Sequence, residues 1–138
     1  MIDELGEIIT ALKTIFNINC NIGIELHPRD VTEILAKKLK NIGFTMVSLG
    51  IQSFQHKELL TLGREFIDGA EKVRILKEAG FDIIDVDLIF GIKGQTIESL
   101  KKDFITAFDN GATQVSTYPF IDFSYAANKS RPLGSKEK

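Results

Sequence analysis

Cysteine is almost missing from this chain. Cys20 stands alone, so no internal disulfide framework can form, and the usage suits a reducing compartment, the cytoplasm. An excess of positive charge is missing too: 17 basic against 19 acidic residues give a formal net charge of −2. Without a basic stripe, a nucleic-acid interface is not expected. No apolar run reaches membrane-spanning length, and the N-terminus lacks the basic, apolar and cleavage regions of a signal peptide. His27 has no second histidine or cysteine at metal spacing, which argues against a metal centre. A phosphate-binding glycine loop and a nucleophile elbow are both lacking, so an ordinary small α/β hydrolase or transferase finds no support.

What remains is the composition of a folded domain, with 138 residues, 43% hydrophobic and 26% charged. The chain is organised around Phe81 to Thr96. The first half of this stretch reads as a buried strand rich in Ile and Val. Its second half is a glycine-marked loop leading into a helix capped by Thr96. Asp87 lies within the apolar run, where it would be desolvated unless it opened onto a polar site or found a partner.

The rest alternates helix and strand. Apolar spacing predicts a helix over residues 2 to 16, with Ile2, Leu5, Ile8, Ile9, Leu12, Ile15 and Phe16 on one face. A strand is expected from Asn19 to Leu26. A helix follows from Asp30, boxed by Glu33, to Gly43, with a stripe of Val31, Ile34, Leu35, Leu39 and Ile42. The next strand covers Thr45 to Gln52, and a short helix Gln55 to Leu62. Another helix runs from Asp68, boxed by Glu71, to Gly80. The helix after Thr96 places Leu100, Phe104, Ala107 and Phe108 on one face and ends at Gly111, and Thr113 to Phe120 is the last strand. Helices that stop at Gly43, Gly80 and Gly111, each followed by a strand, imply a parallel sheet with right-handed crossovers. The fold class is α/β, about four parallel strands alternating with helices; an open sheet and half of a TIM-like barrel are both compatible with that order. Residues 1–121 form the expected domain and 122–138 an irregular tail.

In a parallel sheet the strand C-termini fall on one side and their polar residues converge. The first strand ends in Glu25 and His27, the second in Ser48, Gln52 and Ser53, the third in Asp87, the fourth in Ser116 and Tyr118. Glu25, Gln52 and Asp87 are acceptors suited to hydroxyls and an ammonium group, and Arg64 is suited to clamp a carboxylate. Each also has a plainer reading. Glu25 can be a solvated strand end, Gln52 and Asp87 caps for loop amides, and Arg64 a surface ion pair. Cys20 reads as a small buried side chain.

Five segments in order resemble one family. Glu25-Leu-His-Pro28 with Val31-Thr32, Ser48-Leu-Gly-Ile-Gln-Ser-Phe54, Leu62-Gly-Arg64, Asp87-Leu-Ile-Phe-Gly-Ile-Lys-Gly-Gln-Thr96 and Val115-Ser-Thr-Tyr-Pro119 are similar to stretches of radical S-adenosylmethionine proteins. The group is that of the oxygen-independent coproporphyrinogen III oxidases and haem chaperones. The resemblance implies the third to sixth strands of an open six-stranded (β/α) barrel. It places Glu25, Gln52 and Asp87 around S-adenosylmethionine, Arg64 at the methionine carboxylate, Ile89 beside the adenine and Tyr118 near the cleft floor. It implies a porphyrin-like substrate and a [4Fe–4S] cluster for the parent protein, reached through a Cys-x-x-x-Cys-x-x-Cys segment that is not in this chain. The chain is therefore expected to be inactive alone, as part of a radical enzyme, with no catalytic or metal-ligating residue of its own. A non-catalytic half-barrel scaffold is the alternative. Self-association through exposed sheet edges and apolar inner faces is expected of a half-barrel.

Overall fold

Why the chain alternates so regularly is visible at its helix stops. Gly43 has φ +111°, a left-handed conformation that costs a side chain about 1 kcal/mol or more. Its N–H bonds the Lys40 carbonyl while the Phe44 N–H reaches back to the Leu39 carbonyl. The same pair of bonds recurs at Gly80 with Phe81 and at Gly111 with Ala112. In each case the residue after the glycine is buried, so the stop also anchors the entry to the next strand.

The computed structural model describes residues 2–121; the tail expected at 122–138 lies outside them. Four strands, β1 (Gly23–Leu26), β2 (Met46–Gln52), β3 (Ile83–Phe90) and β4 (Gln114–Pro119), pair in parallel and in chain order. Helices α1 (Ile2–Ile15), α2 (Glu33–Ile42), α3 (His56–Thr61), α4 (Gly69–Glu78) and α5 (Ile97–Asp109) complete the domain. Sequential parallel strands joined by helical crossovers are the construction of a (β/α) barrel, of which this is a part.

The core lies on one face of the sheet. Val47, Leu49 and Ile51 of β2 and Ile84, Val86 and Leu88 of β3 pack with Leu39 of α2, Val73 and Leu76 of α4 and Ala107 of α5. Period-two alternation sends the intervening residues to the opposite face. That face is largely polar, carrying Glu25, Ser48, Asp85, Asp87 and Ser116 beside Met46, Ile83 and Ile89. The expectation of an apolar inner face is corrected: a row of carboxyl and hydroxyl groups occupies it.

Other expectations change at the boundaries. Thr32, not Asp30, caps α2, its hydroxyl accepting from Leu35 N at 3.2 Å, because Pro28–Asp30 forms a separate 3₁₀ turn. Asp68 caps α4 by accepting from Glu71 N, but the Glu71 carboxylate lies 3.3 Å from Lys72 Nζ instead of closing the box. The full box is at α5, where Thr96 and Ser99 exchange bonds. Helix α1 has no buried residue, and Ile8, Leu12, Ile15 and Phe16 are exposed. Only Ile2, Leu5 and Ile9 of its stripe meet the core. Ile34 and Phe108 are likewise exposed, so α2 buries Ala36 and Leu39, and α5 buries Asp103 and Ala107. Cys20 precedes β1 and is exposed, not buried as its residue type suggested.

Candidate active site at the strand C-termini

The end of β2 is irregular, and the site is built on that irregularity. From Met46 to Leu49 each residue of β2 has a partner one for one in β3, but Gln52 pairs with Leu88, a register shift that inserts extra backbone. Gln52 has φ +73° and is the only non-glycine residue with positive φ among those described. A side chain held in the left-handed region at a strand end marks a position that its surroundings over-determine. Gly50 lies in the bulge, where an added Cβ would come within 3.1 Å of Gln52 Nε2. Its carbonyl accepts from Arg64 Nη1 at 3.2 Å.

These contacts bring predicted residues together. Glu25, Gln52 and Arg64 line one cleft of about 270 Å³ with Leu26, His27 and Gly50. A second cavity of about 330 Å³, which shares His27, Gly50 and Arg64 with the first, extends to Arg29, Glu65 and Ile67. Arg64 thus lines both cavities, is half-buried and is not in an ion pair with a carboxylate among the described contacts. Its surface-pair reading is set aside.

Asp87 sits one strand over, 9% exposed, and accepts from Ser48 Oγ at 2.8 Å. Burial pushes its carboxyl above the ordinary value of 3.8; Ser48 opposes this, while the charges of Asp85 and Glu25 add to it. Ile89 and Tyr118 are register partners on β3 and β4, further along the same face. Tyr118 is exposed. The Ile89 carbonyl accepts from Gln95 Nε2 at 3.0 Å, so the β3–α5 loop holds that backbone group in place.

Two features escaped the sequence reading. Asp85 is 6% exposed and accepts from Ser116 Oγ at 2.8 Å through one oxygen, while its other oxygen is buried without a partner. The alternation of β3 was the available signal, since Asp85 and Asp87 must share a face. The second feature is a buried polar cluster of Ser53, Glu58 and Asp103 behind the bulge. It was invisible because its members lie up to 50 positions apart. No group of His, Cys, Asp and Glu among the described residues has the geometry of a metal site. No helix among them is long and apolar enough to cross a membrane.

Comparison with known proteins finds relatives along most of the chain. No family model matches the chain. A haem chaperone of Lactococcus lactis is 28% identical over 134 residues, spanning 93% of this chain and 35% of that protein. The haem chaperone of Bacillus subtilis is 33% identical over 103 residues, 71% of this chain and 26% of its own. Among solved structures, the Escherichia coli coproporphyrinogen III oxidase, described as a radical S-adenosylmethionine enzyme, superposes with a TM-score of 0.75 at 23% identity over 88% of this chain and 29% of that one.

The chain is similar in sequence to haem chaperones and oxygen-independent coproporphyrinogen III oxidases, and it has the fold of part of a radical S-adenosylmethionine enzyme. It spans between about a quarter and a third of the relatives it matches. The partial barrel is the part of the radical S-adenosylmethionine fold that these four strands represent.

Proposed function

We propose that this chain forms the S-adenosylmethionine-binding wall of a radical enzyme or haem chaperone and does no radical chemistry alone. The observation that carries the reading is the convergence of Glu25, Gln52 and Arg64 on one cleft beside a buried, acceptor-rich sheet face.

The residues fit the ligand. S-Adenosylmethionine offers a carboxylate, an ammonium group, a sulfonium cation and ribose hydroxyls. Arg64 matches the carboxylate, with its guanidinium already oriented by the Gly50 carbonyl. Glu25 and Gln52 face the ammonium and hydroxyl groups across the same cleft. The unpartnered oxygen of Asp85, next to Asp87, is a buried acceptor awaiting a donor. The cleft of about 270 Å³ is at the small end for a ligand site and suits the methionyl half. The nucleoside half then lies over Asp87 and Ile89 on the open face. In a complete enzyme, S-adenosylmethionine held by Glu25, Gln52, Arg64 and Asp87 would supply radical hydrogen-abstraction chemistry. The residues of this chain bind and orient it.

A [4Fe–4S] cluster does not fit. Such clusters are held by several Cys thiolates, three in the segment that the resemblance implies, and the one cysteine here, Cys20, is exposed and precedes β1. No step through a cluster is assigned to this chain. A porphyrin-like substrate belongs, on this reading, to the complete protein.

Titration of the full chain with S-adenosylmethionine by calorimetry tests the reading. Binding is expected, and Asp87→Ala is expected to abolish it while leaving the far-ultraviolet circular dichroism unchanged. Unaltered affinity in Asp87→Ala overturns the site assignment. No binding by the parent chain favours the scaffold alternative.

Self-association is a second consequence. Among the described residues β1 and β4 each pair on one side only, so each has an unpaired strand edge. Light scattering is expected to show a dimer or larger species as concentration rises. A strict monomer at high concentration counts against edge pairing.

A further inference from the structure

Behind the bulge, Ser53, Glu58 and Asp103 are 1%, 4% and 0% exposed. Ser53 Oγ lies 2.9 Å from Glu58 Oε2 and 2.8 Å from Asp103 Oδ2, and it accepts from Gln55 N at 3.0 Å. A hydroxyl has one hydrogen, so it can donate fully to only one of these two oxygens. The other contact requires a carboxyl proton. Hydrogen-bond partners show where that proton resides. Glu58 Oε2, the oxygen that meets Ser53, also receives Gln95 Nε2 at 3.1 Å, while Oε1 meets the Ser99 hydroxyl, whose one hydrogen also has the Thr96 carbonyl at 3.0 Å. Asp103 Oδ1 receives Phe54 N at 3.0 Å and Gln55 Nε2 at 2.8 Å, whereas Oδ2 meets Ser53 alone. Asp103 Oδ2 therefore donates to Ser53 Oγ, and Ser53 donates to the Glu58 carboxylate. Burial pushes the Asp103 carboxyl up; its bonds to Gln55, Ser53 and Phe54 N oppose this, and the facing charge of Glu58 adds to the rise.

The cluster touches both sides of the ligand wall. Ser53 follows Gln52 directly, and Asp103 fixes the amides of the next two residues through itself and Ser53. Glu58 holds Gln95, whose side chain spans the β3–α5 loop, donating to the Ile89 carbonyl at 3.0 Å and accepting from Gly91 N at 2.8 Å. One buried cluster thus links the strained end of β2 to the end of β3.

We propose that Asp103, carrying the proton this count requires, and Glu58 are positioning residues that hold Gln52 and the Ile89 carbonyl in place for the ligand of the neighbouring cleft. The ligand part of this inference rests on the S-adenosylmethionine reading above.

The test uses the full chain. Carboxyl carbon resonances followed through a pH titration are expected to show Asp103 still protonated where Asp82, lowered by its bond to Lys40, has ionised. Ionisation of both together overturns the proton assignment, and this readout needs no variant. In calorimetry, Asp103→Asn is expected to keep the affinity for S-adenosylmethionine, because its amide can donate to Ser53 and accept from Phe54 and Gln55. Asp103→Leu is expected to weaken binding about ten-fold or more and to speed amide exchange at Gln52, Phe54 and Gly91. Asp87 titrates in both proteins, so the readout is the difference: affinity in the parent chain is expected to fall relative to Asp103→Asn as pH rises through the Asp103 titration. Gln95→Leu, at a half-buried loop position, is expected to speed exchange at Gly91 without disturbing the core. Parent-like affinity and exchange in Asp103→Leu and Gln95→Leu overturn the positioning role. If the parent chain binds no S-adenosylmethionine, the functional reading fails on its own, and exchange at Gln52 and Gly91 still decides whether the cluster positions the two strand ends.

Discussion

Leu49→Ala is expected to destabilise the domain by about 3 kcal/mol, read as a lowered urea midpoint with little change in slope. Leu49 is 0% exposed on the strand that pairs with both β1 and β3. Its side chain faces the helices, in the one continuous core that the domain has. Truncation leaves a cavity that neighbouring strands cannot close without breaking register. Typical domains have about 5–15 kcal/mol in total, so the loss is a large part of the whole. Leu12→Ala on α1 is the matched control. Leu12 is exposed and α1 buries no residue, so its effect is expected within about 0.5 kcal/mol. Equal losses from the two variants would mean that the core is not where the sheet places it.

A second large effect is expected from pH. Burial raises the carboxyl groups of Asp87 and Asp103 above their ordinary value of 3.8. In the unfolded chain both ionise near that value. As pH rises past it the native state holds more protons than the unfolded state, and stability falls. The stabilisation from the neutral forms is complete below 3.8, declines from there through the raised native values, and then levels off. Asp82 acts with the opposite sign, since Lys40 lowers it, but it is fully exposed and its contribution is screened. Urea denaturation of the parent chain and Asp103→Asn at several pH values separates the effects. The variant is expected to gain on the parent as pH rises from about 4 to 8. A difference constant over that range would show that Asp103 does not keep its proton on folding.

The contrast between Asp87 and Asp103 shows how far residue pattern reaches. Asp87 is legible because it interrupts a run of β-branched residues, and only a partner or a polar site permits that. Asp103 follows Lys101 and Lys102, and a third charged residue in a row reads as surface although Leu100 and Ala107 stand three and four positions away. Its burial arises because α5 turns that side towards Ser53, fifty positions earlier. Arg64 falls between these cases. Its residue type suits a carboxylate, but its contact with the Gly50 carbonyl depends on a bulge that no residue spacing announces.

Local chemistry in the sequence was sufficient for the order of elements and the parallel sheet. Glycine stops, caps and alternating strands act over a few residues, and their signal survives without knowledge of the fold. The candidate residues Glu25, Gln52, Arg64 and Asp87 were also legible, because parallel strands must end on one side. Tertiary structure alone decided which of them share a cleft, that the open face is polar, that Gln52 is strained and that Asp85 is left with an unpartnered oxygen. Those properties depend on strand register and on contacts between distant segments, and a one-residue shift in register would turn every side chain of a strand to the other face.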